Sequence, residues 1–199
     1  MYIVLLLISM ERIFLLVPAT HRIIFTLLAA IKTILGDRMK IAFITRSTIN
    51  AAPGGDTVQI KHTARHLLQS GVAVDIITSD SEINYDQYDL LHFFNLIRPA
   101  DMLKHIRKSG KPFVVSPIII DYREYDRLHR KGLSGLILRN FSFTTNEYIK
   151  TIARWILGRD KLVSKQYLFK GQLKSIQEVL RKASWLLPNS HSEYLGVVK

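Results

Sequence analysis

The fold is decided by residues 39–78, which have the sequence MKIAFITRSTINAAPGGDTVQIKHTARHLLQSGVAVDIIT. Residues 40–45 are an apolar run of strand length, and the loop at 46–55 is rich in small and turn-forming residues. Residues 72–78 are a second run of strand length. The order strand, loop, helix, strand predicts a parallel pair joined by a right-handed crossover.

The helix between these two strands has recognisable boundaries. Asp56 is predicted as the N-cap residue, and Gln59, three residues on, completes a capping box. Gly71 is predicted to end the helix in a left-handed backbone conformation. The helical period predicts one apolar face and one polar face. The apolar face comprises Ile60, Ala64, Leu67 and Leu68, and the opposite face comprises Val58, His62, Arg65 and Gln69.

The same alternation continues along the chain. Further strands are predicted at 88–94, 112–120 and 184–187, and helices at 99–109, 133–139, 146–157 and 172–182. Ser190 and Glu193 form a second capping pair, so a last helix begins close to Lys199, and the sequence predicts a fragment of a larger protein. Residues 39–199 are therefore predicted to form an α/β, Rossmann-like domain, with a mostly parallel sheet and helices on both faces.

Residues 1–38 differ from the rest of the chain in being very apolar. Charged residues interrupt them about every ten residues, so no run approaches the ~18 apolar residues that a membrane-spanning helix needs. Glu11, Arg22 and Thr33 are spaced to share one helical face and leave a broad apolar surface opposite. Two interpretations stay open: an apolar helix lying in a membrane interface, or a leader outside the native fold. A secretory signal is not expected, because the basic start and small-residue cleavage site are missing.

The composition limits the classes of partner and of chemistry. The chain has 28 Lys and Arg against 16 Asp and Glu, a formal net charge of +12, which favours an anionic partner: nucleic acid, a membrane surface or phosphate groups of a substrate. It has no cysteine, which excludes disulfides, thiolate metal sites and cysteine nucleophiles and suits a cytoplasmic location. The basic excess at 159–182, with Tyr167, Phe169 and Trp185 among it, suits anionic lipid or RNA, but no RNA-binding motif accompanies it.

The loop Pro53-Gly54-Gly55 is the most informative local motif. Glycines let a ligand approach the backbone, and the amides of a helix N-terminus favour a phosphate group. The spacing matches neither the dinucleotide fingerprint nor a P-loop, and a simple tight turn is the alternative. The loop follows the first strand, at the edge where ligands of open α/β sheets bind.

Four more polar residues are predicted at that edge. His92 lies near the end of the third strand. It could orient a sugar hydroxyl or transfer a proton, and the alternative is a purely structural histidine. Asn95, in the loop that follows, is the better candidate for binding a ligand. Ser116 and Asp121 accompany the fourth strand. Asp121 suits a base or a hydroxyl acceptor, with a helix N-cap as the alternative. No hydrolase triad, His-Glu-x-x-His helix or carboxylate-rich metal cluster is present in the sequence.

Several stretches together resemble a known family. MKIAFI at 39–44, the glycine loop, VAVDIIT at 72–78, YDLLHF at 88–93 and ASWLLPNS at 183–190 are similar, in order and spacing, to the N-terminal half of family 4 glycosyltransferases. The resemblance covers residue 39 to the end. It implies a GT-B architecture, in which two Rossmann-like domains face a cleft, the first holding mainly the acceptor and the second mainly the nucleotide-sugar donor.

The resemblance also implies roles for particular residues. Gly54 and Gly55 would lie against the donor diphosphate, and Asn189 and Ser190 at the cleft edge before the crossover to the second domain. The resemblance places Asp56, Thr57 and Gln59, at the helix start, close to the acceptor. The edge residues His92, Asn95, Ser116 and Asp121 are also predicted to bind the acceptor, from their position and not from the resemblance. Many members carry a histidine after the fourth strand, where this chain has Ser116-Pro117-Ile118.

The resemblance implies a retaining transfer with no metal and no cofactor besides the donor. The expected substrates are a nucleotide sugar and a glycan or lipid-linked acceptor, in surface polysaccharide or glycolipid synthesis. The expected location is cytoplasmic, with peripheral contact to the anionic inner face of the membrane, and this chain alone is expected to be nearly inactive. The rival hypothesis is a membrane- or nucleic-acid-associated Rossmann-like binding module without catalysis.

Overall fold

The computed structural model describes residues 39–118 and 142–198, which form a five-stranded parallel sheet with helices. The strands are β1 (Lys40–Thr45), β2 (Ala73–Thr78), β3 (Leu90–Phe94), β4 (Phe113–Ser116) and β5 (Trp185–Leu186), in the spatial order β2-β1-β3-β4-β5. The helices are α1 (Gly55–Gln69), α2 (Ala100–Ser109), α3 (Phe143–Ile156), α4 (Tyr167–Lys182) and α5 (His191–Val198). All four neighbouring strand pairs are parallel, which confirms the predicted α/β class.

Helices cover both faces of the sheet, as predicted, because successive residues of a strand point to opposite sides. On one face, Ile41 and Phe43 of β1 pack in a cluster with Ile60, Ala64 and Leu67 of α1. On the other face, Ala42 and Ile44 belong to a cluster that includes Leu103 of α2 and Val179 of α4. The central strands are buried on both sides, which is why their sequences are nearly continuous apolar runs.

The start of α1 differs from the prediction. Its N-cap is Gly54, whose amide donates to the Thr57 hydroxyl over 3.1 Å, and Asp56 already lies in the first helical turn. The N-cap role predicted for Asp56 and the capping box with Gln59 were therefore wrong. Extended Gly54 and the hydroxyl at Thr57 allow the helix to begin one residue before Asp56.

The end of α1 confirms one prediction and overturns another. Gly71 has a φ of 80° and follows the last helical turn, as predicted for a left-handed stop. Leu68, however, is 55% exposed and does not join the apolar face. Within the described residues β2 is an edge strand, so none of their strands lies beyond it to cover this flank of the helix.

The remaining elements shift at their ends. Strand β3 begins at Leu90, because a short 3-10 turn at Tyr85–Gln87 precedes it, and helix α3 begins at Phe143. Helix α4 extends back to Tyr167 through a non-helical Gly171 (φ 72°), and β4 ends at Ser116, earlier than the predicted 120. The predicted last helix is confirmed as α5. The predicted helix at 133–139 and the apolar segment 1–38 lie outside the described residues.

Length and apolar content decide whether a helix can cross a bilayer. None of the helices within residues 39–118 and 142–198 has enough of both.

Candidate functional site

The strand order creates a crevice between β1 and β3. The chain leaves β1 toward β2 on one side, and it leaves β3 toward β4 on the other, so the loops after these two adjacent strands diverge. Ligands of open α/β sheets bind at this switch point, beyond the carboxyl ends of the strands. Arg46 and Asn95 are the first residues past β1 and β3, so the loop at 46–55 and the turn at 95–99 border the crevice.

Arg46 organises the glycine loop. Its guanidinium makes a bidentate ion pair with the Asp56 carboxylate, at 2.7 and 3.1 Å, and donates to the Thr48 carbonyl and hydroxyl and to the Ala52 carbonyl. All five guanidinium N–H groups are thus engaged. Burial raises the pKa of Asp56, but the hydrogen bonds and charge of Arg46 outweigh this effect, so the pKa lies below its ordinary value. Sequence reasoning missed Arg46; its signal was a basic residue directly after a strand and ten residues before a carboxylate.

The two loop glycines differ in the space around them. A Cβ on Gly54 would lie 3.2 Å from the Asp56 carboxylate, whereas a Cβ on Gly55 would meet nothing within 4 Å. Among the described residues, the main-chain amides of Gly55 and Asp56 have no hydrogen-bond acceptor, as expected at a helix N-terminus. The Asp56 carboxylate lies beside these amides and by itself would repel an incoming anion. Its ion pair with Arg46 neutralises that negative charge. The loop therefore offers exposed main-chain donors and no uncompensated carboxylate.

A reciprocal amide pair joins two parts of the predicted site. Gln59 Nε2 donates to Asn189 Oδ1 over 2.9 Å, and Asn189 Nδ2 donates to Gln59 Oε1 over 3.1 Å, although the residues are 130 positions apart. Ser190 follows as the cap of α5, its hydroxyl accepting the Glu193 amide over 3.1 Å. The structure thus brings together the start of α1 and the predicted cleft edge. The Thr57 hydroxyl, in contrast, is buried and turned toward Gly54.

His92 and Ser116 lie against each other on the α1 face of the sheet. His92 Nε2 and Ser116 Oγ are 2.9 Å apart, both residues are buried, and the imidazole stacks on Phe94 at 4.1 Å. Burial lowers the pKa of His92 to about 3, so the ring is neutral near pH 7. This environment favours the structural interpretation of His92 over proton transfer. The predicted partner Asp121 lies outside the described residues.

Asn95 combines unusual backbone geometry with an unused acceptor. Its φ is 68°, in the left-handed region that Asn adopts more readily than most residues, and its amide donates to the Ser116 carbonyl over 3.0 Å. Its side-chain Oδ1 is buried and has no hydrogen-bond partner in the part of the chain that the structure describes. Most buried polar atoms in proteins are paired, so an unpaired oxygen at a switch point is a candidate ligand contact.

A buried charge cluster, which sequence reasoning also missed, ties the loops around the crevice together. Arg98, in the turn after β3, binds Asp101 at 2.7 Å and Asp160 at 2.6 Å, and the Ser47 hydroxyl donates to Asp160 over 3.1 Å. Burial raises the pKa of Asp101 despite the nearby Arg98, whereas Arg98 holds the pKa of Asp160 below its ordinary value despite burial. The adjoining cavity measures only about 10 Å³, room for one water molecule and not for a substrate. The cluster therefore fixes the loops and does not itself form a binding pocket.

Within the two described ranges, no three His, Asp or Glu side chains are grouped so that they could hold a metal ion. The predicted absence of a metal requirement stays a prediction. Protein-family models, curated proteins and solved structures were compared with the chain, and none of them matches it.

Proposed function

We propose that residues 39–199 are the acceptor-side domain of a retaining GT-B glycosyltransferase. The enzyme moves a sugar from a nucleotide-sugar donor to a glycan or lipid-linked acceptor at the cytoplasmic side of a membrane, without a metal. Three facts support the proposal: the sequence resemblance that begins at Met39, the parallel Rossmann-like sheet, and the position of the glycine loop at the switch point.

The observation that carries the proposal is the unpaired Asn95 oxygen at the end of β3, the strand that pairs with β1, after which the glycine loop begins. A buried acceptor without a donor costs roughly 1–3 kcal/mol, and a ligand hydroxyl that donates to it recovers this free energy. Sugars present many hydroxyl donors. The Gly55 and Asp56 amides, which have no acceptor among the described residues and begin the helix after the neighbouring strand β1, suit the phosphate oxygens of a nucleotide. The crevice thus has a feature for each of the two substrates.

The chemistry that these residues supply is electrostatic. A departing nucleoside diphosphate accumulates negative charge, and main-chain amides aimed at it stabilise that charge without reorganising. Buried, neutral His92 carries no positive charge to contribute. The cations that neutralise most of the diphosphate would belong to the second domain of a GT-B enzyme, so we expect the chain to bind a donor weakly and to transfer no sugar.

The test is an NMR titration of the isotope-labelled chain with UDP-glucose as the probe. We expect shifts of the Gly55 and Asp56 amides, the two loop donors that have no acceptor among the described residues. Gly55→Ala adds a methyl group where the structure has open space, so it should keep the fold and weaken binding severalfold. The control is Gly196→Ala in the second half of α5, which also has open space around it. Sugar transfer by this chain alone, or shifts that avoid the glycine loop, would refute the proposal.

A second candidate function, the membrane-associated binding module without catalysis, is favoured by one observation. Apolar side chains of α3 and α4 are exposed beside basic residues, and their arrangement supports an inference that stands apart from sugar transfer.

A further inference from the structure

Helix α3 exposes the kind of surface that helices usually bury. Ile149, Ala153 and Ile156 follow one another at helical spacing on its exposed side, and Ile156 is 71% exposed. Leu157, directly after the helix, is exposed as well. Another side of α3, that of Tyr148, packs on α4, where the Tyr148 hydroxyl donates to the Leu168 carbonyl over 2.8 Å. The helix is therefore anchored on one side and presents an apolar stripe on another.

Helix α4 adds a second exposed apolar side chain, that of Phe169. Phe169 is 91% exposed and directly follows Leu168, whose carbonyl accepts a hydrogen bond from Tyr148 of α3. A fully exposed phenylalanine forfeits the hydrophobic free energy that its burial would supply. We define the α3 surface as Ile149, Ala153, Ile156, Leu157 and Phe169.

The segment that carries the α3 surface is strongly basic. Residues 142–182 contain nine Lys and Arg against three Asp and Glu. All three carboxylates are already paired inside the domain: Glu147 with Lys150, Asp160 with Arg98, and Glu178 with Lys170 and Lys182. In contrast, Arg159, Lys165 and Lys174 are exposed and form no ion pair within the described ranges. The positive charge is thus available to an external anion.

We propose that the α3 surface docks on an anionic lipid bilayer, with α3 lying in the plane of the membrane interface. Such helices bury an apolar face at the boundary of headgroups and acyl chains, while flanking Lys and Arg attract anionic lipids. The inference rests on exposure and charge alone, so it does not depend on the proposed sugar transfer.

The composition of the α3 surface favours lipid over the other occupants. Three of its side chains, Ile149, Ile156 and Leu157, are branched aliphatic groups, and within the α3 surface Phe169 alone offers a ring, whereas single-stranded nucleic acids stack successive bases on several rings. A second copy of the chain would bring two basic surfaces together, and like charges repel. Acyl chains accept branched aliphatic groups, and anionic headgroups match the cations.

The first experiment uses the lack of native cysteine in the full chain. Ile156→Cys, labelled with an environment-sensitive fluorophore, is titrated with phosphatidylcholine vesicles that contain about one third phosphatidylserine. We expect a blue shift that disappears in about 1 M salt, where the screening length is only about 3 Å. Pure phosphatidylcholine vesicles should give a much weaker response. The control is Leu68→Cys on α1, a comparably exposed residue outside the α3 surface, which should show no shift.

The second experiment measures vesicle partitioning of the unlabelled chain. Ile156→Ser with Leu157→Ser should weaken partitioning at least about tenfold, since each side chain loses its burial in the interface. Leu68→Ser should leave it unchanged, and thermal unfolding checks that all variants are folded. Unaltered partitioning of the double variant would overturn the proposal, because another segment would then carry the binding. A blue shift that rises with protein concentration without vesicles, or that a single-stranded RNA alone induces, would overturn it in favour of a second copy or of nucleic acid.

Discussion

Lowering the pH from 7.5 to 5 is expected to destabilise the fold through two buried histidines. Burial lowers the pKa of His92 to about 3 and the pKa of His105 to about 4. His105 Nε2 lies 2.8 Å from the Ser79 carbonyl, which can only accept, so the ring donates there and its Nδ1 accepts from the Tyr85 hydroxyl over 2.8 Å. Both rings are therefore neutral in the folded chain near pH 7.

The sign and size of the effect follow from linkage. In the unfolded chain both rings have a pKa of about 6.5, so below that pH the unfolded state binds protons that the folded state does not. The stabilisation is complete above pH 6.5 and is lost as the pH falls toward about 4 for His105 and about 3 for His92. At pH 5, about 1.5 units into this range, each histidine costs about 2 kcal/mol at about 1.4 kcal/mol per unit. The two together cost about 4 kcal/mol, a large part of the 5–15 kcal/mol typical of a domain.

The assay is urea unfolding of the full chain at pH 7.5 and at pH 5, followed by circular dichroism. The free energy of unfolding should fall by about 4 kcal/mol between the two pH values in the parent chain and by only about 2 kcal/mol in His92→Gln. His62→Gln is the matched control: His62 is exposed on α1, so its removal should leave the fall at about 4 kcal/mol. Equal stability at both pH values, or the same fall in His92→Gln as in the parent chain, would refute the reasoning.

Three further predictions concern the candidate site. Arg46→Met should lower the free energy of unfolding by roughly 3 kcal/mol, because it leaves the partly buried Asp56 carboxylate unpaired; Arg46→Met with Asp56→Asn should recover part of that loss, as urea unfolding would show. Gln59→Leu and Asn189→Leu should each destabilise the domain but with less than additive effects, giving a coupling of about 1 kcal/mol in a double-mutant cycle; strict additivity would contradict the amide pair. Asn95→Gly should leave the free energy of unfolding unchanged or raise it by up to about 1 kcal/mol, since it removes an unpaired oxygen and relaxes a positive φ. An NMR titration with methyl glucoside should show weaker binding to this variant. A loss of stability above about 1 kcal/mol would indicate that the Asn95 side chain is structural.

Local patterns predicted the fold well where burial repeats along the chain. The strands β1 and β2 and the stop at Gly71 were recognisable because apolar runs and a left-handed glycine are properties of adjacent residues. The helix predicted to start at residue 172 begins directly after Gly171, where the structure shows non-helical backbone inside α4. Exposed Leu68 was not predictable in this way, because its environment depends on β2 being an edge strand.

The candidate site was predictable as a place and less so as a set of contacts. The glycine loop and the edge position of Asn95 followed from the order of strands and loops. The pairing of Gln59 with Asn189 joins residues that no local pattern connects, and the family resemblance assigned them different roles. The signal of Arg46, a basic residue after a strand and ten residues before a carboxylate, is common in proteins, so it became informative only once the structure showed the loop wrapped around the guanidinium.

The fully occupied Arg46 guanidinium has a consequence for how the protein would respond to ionic strength. With its N–H groups spent on Asp56 and the loop carbonyls, this cation has no donor left for an incoming anion, so an anion at the glycine loop would be held by uncharged main-chain dipoles. Main-chain dipoles hold few counterions that an incoming anion would release, so dissolved salt competes only weakly with an anion bound to them. The cations near the α3 surface are exposed and act through long-range attraction, which salt screens. A rise in salt would then detach the molecule from an anionic surface long before it emptied the crevice, so the two events could be separated in one titration.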